Sequence, residues 1–256
     1  MYSRDSHTFV ICAYGNSPYL EDCMQSLLSQ TVRTKIVMSA SEPEASVISL
    51  AEKYQIPLFV NKGEKGIAGD WNFALSCAET PLVTLAHQDD RYYKTYAEDV
   101  LAALNTCCRP LLAFTDYNEL REGCTVQNNR LLKIKRLMLS PLRIRFLQKS
   151  RFVRRRILSF GNPICCPSVT FVRENLPGFS FRNNMDSNID LAGLGGAFQK
   201  KRGVCLYSGF FYGTQDTPGF CHKQRFKRRQ KKGGGYGSSG EILGKAHGGF
   251  CGAFLQ

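Results

Sequence analysis

Gly66-Ile67-Ala68-Gly69-Asp70-Trp71-Asn72 leads into Pro81-Leu82-Val83-Thr84-Leu85-Ala86 and then His87-Gln88-Asp89-Asp90. In the first piece Ile67, Trp71, Leu75 and Ala78 fall on one face at helical spacing, so Trp71, the only tryptophan, belongs to the core rather than to a substrate platform. The second is a short apolar run bounded by a proline, the signature of a buried strand. The third sets two adjacent carboxylates at that strand's carboxyl end, where open α/β sheets place their ligands. Neighbouring carboxylates repel unless a cation or solvent offsets their charge. Hard oxygen donors of this kind suit Mg²⁺ or Mn²⁺ shared with substrate phosphates. The plainer alternative is that Asp89 and Asp90 cap a helix starting near Tyr92.

Outward from this stretch the chain alternates in kind. Strands are expected over residues 8–14, 35–39, 57–60, 81–86 and 110–115. Helices are expected after Ser17-Pro18 and over 45–54, 67–78 and 92–104. Repeated β-α units with short links predict an α/β domain, a mostly parallel sheet flanked by helices. Further on, residues 130–158 read as two helices broken at Pro141, 167–172 as a strand, and 186–190 as the opening of another helix.

Composition bounds the class. At 256 residues, 43% hydrophobic and 21% charged, the chain is an ordinary globular one with room for a sizeable core. No apolar run approaches the ~20 residues that span a bilayer, and the opening residues lack a secretory leader's apolar stretch. The eleven cysteines include no Cys-x-x-Cys, and the four histidines are scattered, so they read mostly as small buried hydrophobes in a reducing compartment. A cytoplasmic protein is expected.

The formal net charge of +13 is unevenly placed. Residues 130–156 hold eleven Lys and Arg and no acid, whereas residues 1–129 are acid-rich. Sixteen of the 23 glycines fall in the last 66 residues, where periodic apolar patterning stops. Four segments follow: 1–129, the α/β half; 130–158, a basic helical insert; 159–190, a further segment; and 191–256, an atypical Gly/Lys/Arg-rich tail. The tail is either a solvated basic extension or text read in a shifted frame. The codons for Leu191-Ala192-Gly193-Leu194-Gly195-Gly196 can be chosen so that another frame reads Trp-Leu-Ala-Trp-Glu.

Asn72 followed by the apolar strand and Asp89, with Phe9-Val10-Ile11-Cys12-Ala13-Tyr14-Gly15-Asn16, Tyr19-Leu20 and Ser26-Leu27-Leu28-Ser29-Gln30-Thr31, resembles the family 2 glycosyltransferases of GT-A fold. The likeness covers residues 8–190 and is strongest over 8–120. It implies a GT-A-like nucleotide-binding sheet, a nucleotide-sugar donor (a UDP-sugar first), a Mn²⁺ or Mg²⁺ ion, and a glycan or lipid-linked acceptor. Asp89 matches the second Asp of the family's Asp-x-Asp and would hold the metal; His87 stands where the first Asp should be. Ala13, Tyr14 and Gly15 end the first strand where the family holds the base, with Ser39 at the end of the second. Asp70, Asn72 and Gln88 complete the expected donor site. Asp70 and Trp71 replace the family's Ala-Arg, and Ser39-Ala40-Ser41-Glu42 replaces its acidic pair. The general base that an inverting transfer needs falls on Asp190 first and Asp186 second, with Asp116 ranked below them. The Gln-x-x-Arg-Trp of processive synthases is missing, and nothing after Asp190 matches the family's closing loop.

Three competing readings stand beside this one. The first is a catalytically inactive relative. The second is a basic stretch at 130–158 that meets an anionic membrane surface, placing the protein on the inner face of the membrane. The third, nucleic-acid binding, is disfavoured because only Phe146 and Phe152 interleave aromatic rings with the basic residues.

Overall fold

The computed structural model describes residues 1–121, 124–182, 189–198 and 203–215. All of its elements belong to one compact unit, Met1–Asp216. In chain order they are β1 (His7–Ala13), α1 (Leu20–Leu28), β2 (Lys35–Ala40), α2 (Ala45–Lys53), β3 (Leu58–Val60), α3 (Ile67–Cys77), β4 (Leu82–His87) and β5 (Asp90–Tyr92). Then come α4 (Tyr96–Thr106), β6 (Pro110–Arg121), β7 (Cys124–Val126), α5 (Arg130–Leu139), α6 (Arg145–Gln148), α7 (Arg151–Ser159), β8 (Val169–Val172), α8 (Ile189–Phe198) and β9 (Gly203–Gln215).

The sheet runs β3-β2-β1-β4-β8-β6-β9-β5, with β7 beside β6. The first four strands are parallel, and from β8 onward the pairing is mixed. This is the α/β architecture expected, with antiparallel pairing in its second half. Strand alternation explains the layers. Phe9, Ile11 and Ala13 of β1 join the cluster under α1, α2 and α4; Val10 joins the cluster under α3, α7 and α8. A strand buried on both faces is apolar without a break, and that is what made residues 8–14 legible. α1 lays Leu20, Cys23, Met24 and Leu27 into the first cluster and carries Glu21 and Asp22 in its first turn, where the helix dipole favours acids.

Three expectations change. No helix begins at Tyr92: β5 intervenes and α4 starts at Tyr96, so Asp89 and Asp90 are not its caps. The basic segment is α5, a 3₁₀ turn around Pro141, α6 and α7 rather than two helices. Past residue 190, where apolar periodicity stops, the fold still carries α8 and seats β9 between β6 and β5. Cysteine burial is uneven: Cys23 and Cys166 are buried, Cys108 and Cys124 exposed, and Cys107 is disulfide-bonded. Among the described residues no helix is long and apolar enough to cross a membrane.

A buried polar chain crosses the sheet. His7, fully buried, has Nδ1 3.0 Å from the Thr34 hydroxyl and Nε2 2.8 Å from that of Thr84, which lies 2.6 Å from Thr170. Burial lowers the His7 pKa to about 3, so the folded chain keeps the ring neutral. That stabilisation is complete above the unfolded value of ~6.5 and is lost as the pH falls from there toward 3. Urea unfolding across pH 6 to 4 therefore has a component of up to about 1.4 kcal/mol per pH unit from this one proton. His7→Gln should flatten the slope by that amount, and an unchanged slope would refute the assignment.

Candidate functional site

β1 leads to β2 and β3 on one side, while β4 lies on the other. The sheet's order therefore reverses between β1 and β4. The ends of the two strands are in register there, with Cys12 opposite His87; the crevice in which open α/β sheets take their ligands lies beyond such carboxyl ends.

Gln88 fixes its floor. The Tyr14 amide donates to Gln88 Oε1 at 2.9 Å, and Gln88 Nε2 donates to the Tyr14 carbonyl at 2.7 Å. The Gln88 side chain is thus committed to backbone and is buried, so it positions the crevice instead of lining it. Ala13 is buried just before this clamp, Tyr14 is exposed, and Gly15 turns the chain at φ +59°, a conformation that favours glycine. Ser17 follows, and its hydroxyl donates to Asp89 Oδ1 at 2.5 Å. Sequence reasoning missed Ser17, because its partner lies 72 residues away.

The two adjacent carboxylates part company. Asp90 turns inward and is buried; desolvation first, and then the neighbouring Asp89, push its pKa well above the usual range. Asp89 remains half-buried at the crevice. Their repulsion is relieved by favouring a proton on one of them. His87 has Nδ1 3.9 Å from Asp90, its ring stacks on Trp71 at 5.1 Å, and burial lowers its pKa to about 4. Its Nε2 is buried with no hydrogen-bond partner among the described residues.

The remaining predicted residues arrive by different routes. Ser39 is buried near the end of β2, opposite Cys12 in the register. Asp70, in the first turn of α3, accepts from Asn61 Nδ2 at 2.8 Å. Asn61 also donates to the Glu64 carbonyl at 2.9 Å and accepts from the Gly63 amide, and so folds the loop before α3. It is a buried hub that no sequence signal beyond a turn-rich Asn-Lys-Gly announced. Asn72 grips the Phe181 backbone from both sides, at 2.9 and 2.7 Å, and so ties α3 to the segment entering residues 183–188. Trp71 packs on the core cluster and edge-on to Phe181, as its helical face implied.

Asp190 is the second residue of α8, and its side chain and Asp186 lie outside the described residues. Asp116 is committed elsewhere: Arg136 Nε donates to its Oδ2 at 2.6 Å, with both side chains largely buried. A surface cleft of about 580 Å³ next to Asn72, Arg173 and Phe179 lies near the amino end of β4, where the Arg173 amide meets the Pro81 carbonyl, away from the crevice.

Among the described residues no three His, Cys, Asp or Glu side chains converge on a metal position. Mg²⁺ and Mn²⁺ in phosphate sites need only one or two carboxylates, with the substrate's oxygens completing the shell. Asp89 fits that donor role. His87 fits in charge, being neutral at pH 7, but its Nε2 is buried and its ring lies against Trp71.

No curated protein matches the chain. Solved structures share its fold at low identity. The mannosyltransferase PcManGT from Pyrobaculum calidifontis, in complex with GDP-Man and Mn²⁺, superposes with a TM-score of 0.64 at 12% identity, over 90% of this chain and 62% of that one. Glucosyl-3-phosphoglycerate synthase from Mycobacterium tuberculosis, with Mn²⁺, UDP-Glc and phosphoglyceric acid, gives 0.60 at 12%, over 84% and 73%. S. aureus TarS 1-349 with UDP-GlcNAc gives 0.59 at 16%, and this chain spans 59% of that structure. The family model for glycosyl transferase family 2 matches residues 8–175, well over half the sequence, and the chain belongs to that family.

Proposed function

We propose that this chain transfers a sugar from a nucleoside-diphosphate donor, a UDP-sugar first, to a hydroxyl of a glycan or lipid-linked acceptor in cell-surface polysaccharide or glycolipid synthesis. The observation that carries the reading is the placement of Asp89, held by Ser17 at the point where the sheet order reverses. Nucleotide-diphosphate sugars in the superposed relatives and membership of the family support it.

The chemistry assigned to these residues is an inverting displacement. The acceptor hydroxyl gives its proton to a carboxylate, Asp190 first and Asp186 second, while its oxygen attacks the anomeric carbon; the bond from that carbon to the diphosphate breaks and the diphosphate takes the electron pair. Tyr14, held by Gln88, and Gly15 after it form the base side of the crevice in this reading, with Asp70 at the head of α3 as a further donor contact. Mn²⁺ or Mg²⁺, when bound at Asp89, supplies positive charge against the departing diphosphate. The setting is cytoplasmic, at the inner face of a membrane through residues 130–158.

Thermal melts with Mn²⁺ test the donor site. A nucleotide at ~100 times its dissociation constant should stabilise the fold by about 2.7 kcal/mol, roughly 5–11 °C for a domain of this size. UDP should give this rise and the matching UDP-sugar should turn over. A cooperative melt indifferent to UDP and GDP alike would leave the inactive-relative reading in place instead.

The tail is part of the proposal. A frame shift at about codon 190 would account for the glycine and basic excess beyond it, and the coding DNA decides: a second frame open past that codon supports it, and an early stop in both other frames ends it.

A further inference from the structure

Residues 130–160 are tied down on one side and bare on the other. α5 is fastened by Arg136, which reaches Asp116 and the Tyr117 carbonyl, and by buried Leu132 and Leu139. α7 turns Arg154 and Ile157 inward, the Arg154 guanidinium lying over the Phe198 ring. The opposite face of α5 carries Leu131, Ile134 and Leu137, spaced three apart and 63%, 45% and 72% exposed. Ile144, Phe146 and Phe152 continue it through α6 into α7, with both phenylalanines about three-quarters exposed. Large apolar side chains collected on one short segment mark a surface built to meet another phase or partner. Around them stand exposed Arg145, Lys149, Arg151 and Arg155, and residues 130–156 contain no acid.

We propose that this face docks on an anionic lipid bilayer, with Leu131, Ile134, Leu137, Ile144, Phe146 and Phe152 entering the interface and the surrounding Arg and Lys pairing with lipid headgroups. An apolar helical face rimmed by cations is the composition of an interfacial anchor. Aliphatic side chains gain by leaving water for acyl chains but have nothing to stack on in a nucleic acid, and a like-charged second copy would repel this face. The location adds meaning. β4 and β6 both run antiparallel to β8, so the Asp116 half of β6 lies toward the same end of the strands as Asp89. The anchor hangs from that half and would hold the crevice's edge close to a lipid-linked acceptor. This deepens the glycosyltransferase reading, yet vesicle binding needs neither donor nor metal, so either can fail alone.

Sedimentation with phosphatidylcholine vesicles, with and without phosphatidylglycerol, tests it. The chain should bind the anionic vesicles, more weakly as salt rises, and bypass the neutral ones. Arg145→Gln with Lys149→Gln and Arg151→Gln should weaken binding about 100-fold, at about fivefold per charge near the surface. Phe146→Ser with Phe152→Ser should weaken it at least about tenfold at unchanged charge. All five positions are exposed, and the comparison of lipids needs no variant. Equal binding to both vesicles, no effect of the phenylalanine pair, tighter binding to an RNA or DNA duplex, or self-association that masks the face would each overturn the proposal.

Discussion

Asp89→Asn should lower kcat/KM for transfer about 10³-fold and leave the melting curve of the free chain where it was. Asn keeps an oxygen to accept from Ser17, so the local geometry survives while the charge does not. Removing one preorganised electrostatic contact at a reacting centre commonly costs 10²–10³-fold, and loss of a metal's carboxylate adds to it. The nucleotide-induced rise in melting temperature should vanish with the charge. Ser17→Ala is the graded companion: it removes one hydrogen bond to a carboxylate and should cost about tenfold. If Asp89→Asn still turned over within a few-fold of the parent, the donor site would have to lie elsewhere.

Gly69→Ala should unfold the chain at a markedly lower temperature. A Cβ built on Gly69 lies 2.3 Å from the Glu64 carbonyl oxygen and 2.8 Å from its carbon, and both are backbone atoms with little room to yield. Overpacking against a rigid neighbour costs about 3 kcal/mol at the upper end of its range, or roughly 6–12 °C here. The damage should reach the site as well, since the Glu64 carbonyl accepts from Asn61, the residue that also holds Asp70. Gly195→Ala in α8 is the control: among the described residues a Cβ there meets nothing within 4 Å, so it should leave the melt unchanged or raise it. Equal melts for the two variants would mean that the loop before α3 moves aside freely.

The first half of the fold was legible because its strands are buried on both faces and its helices on one, and those two patterns write themselves plainly. β1 through β4 lie within a residue or two of their expected bounds. β5 is three residues long and has no room for a period, so Tyr92 was read as the start of a helix. β9 is glycine-rich and draws its place from neighbours on either side, so its own text says little. At the site, the position of Asp89 just past β4 was legible because the strand before it is plainly apolar. A side chain's role was opaque where it depends on a distant partner. Gln88 and Asn72 hold backbone 74 and 109 residues away, contacts that no local pattern announces.

That grip of Gln88 on Tyr14 has a kinetic meaning. Two strands that part at a switch point would otherwise breathe, and a ligand would have to wait for, or pay the entropy of, the right gap. With both hydrogen bonds of the amide closed across the gap, its width is set before any ligand arrives. A ligand meeting a pre-ordered floor would lose less binding free energy to ordering it, and its association would be closer to the rate of encounter than to that of rearrangement. Discrimination between ligands would then fall to the groups standing on that floor, because the floor itself would not yield to fit them.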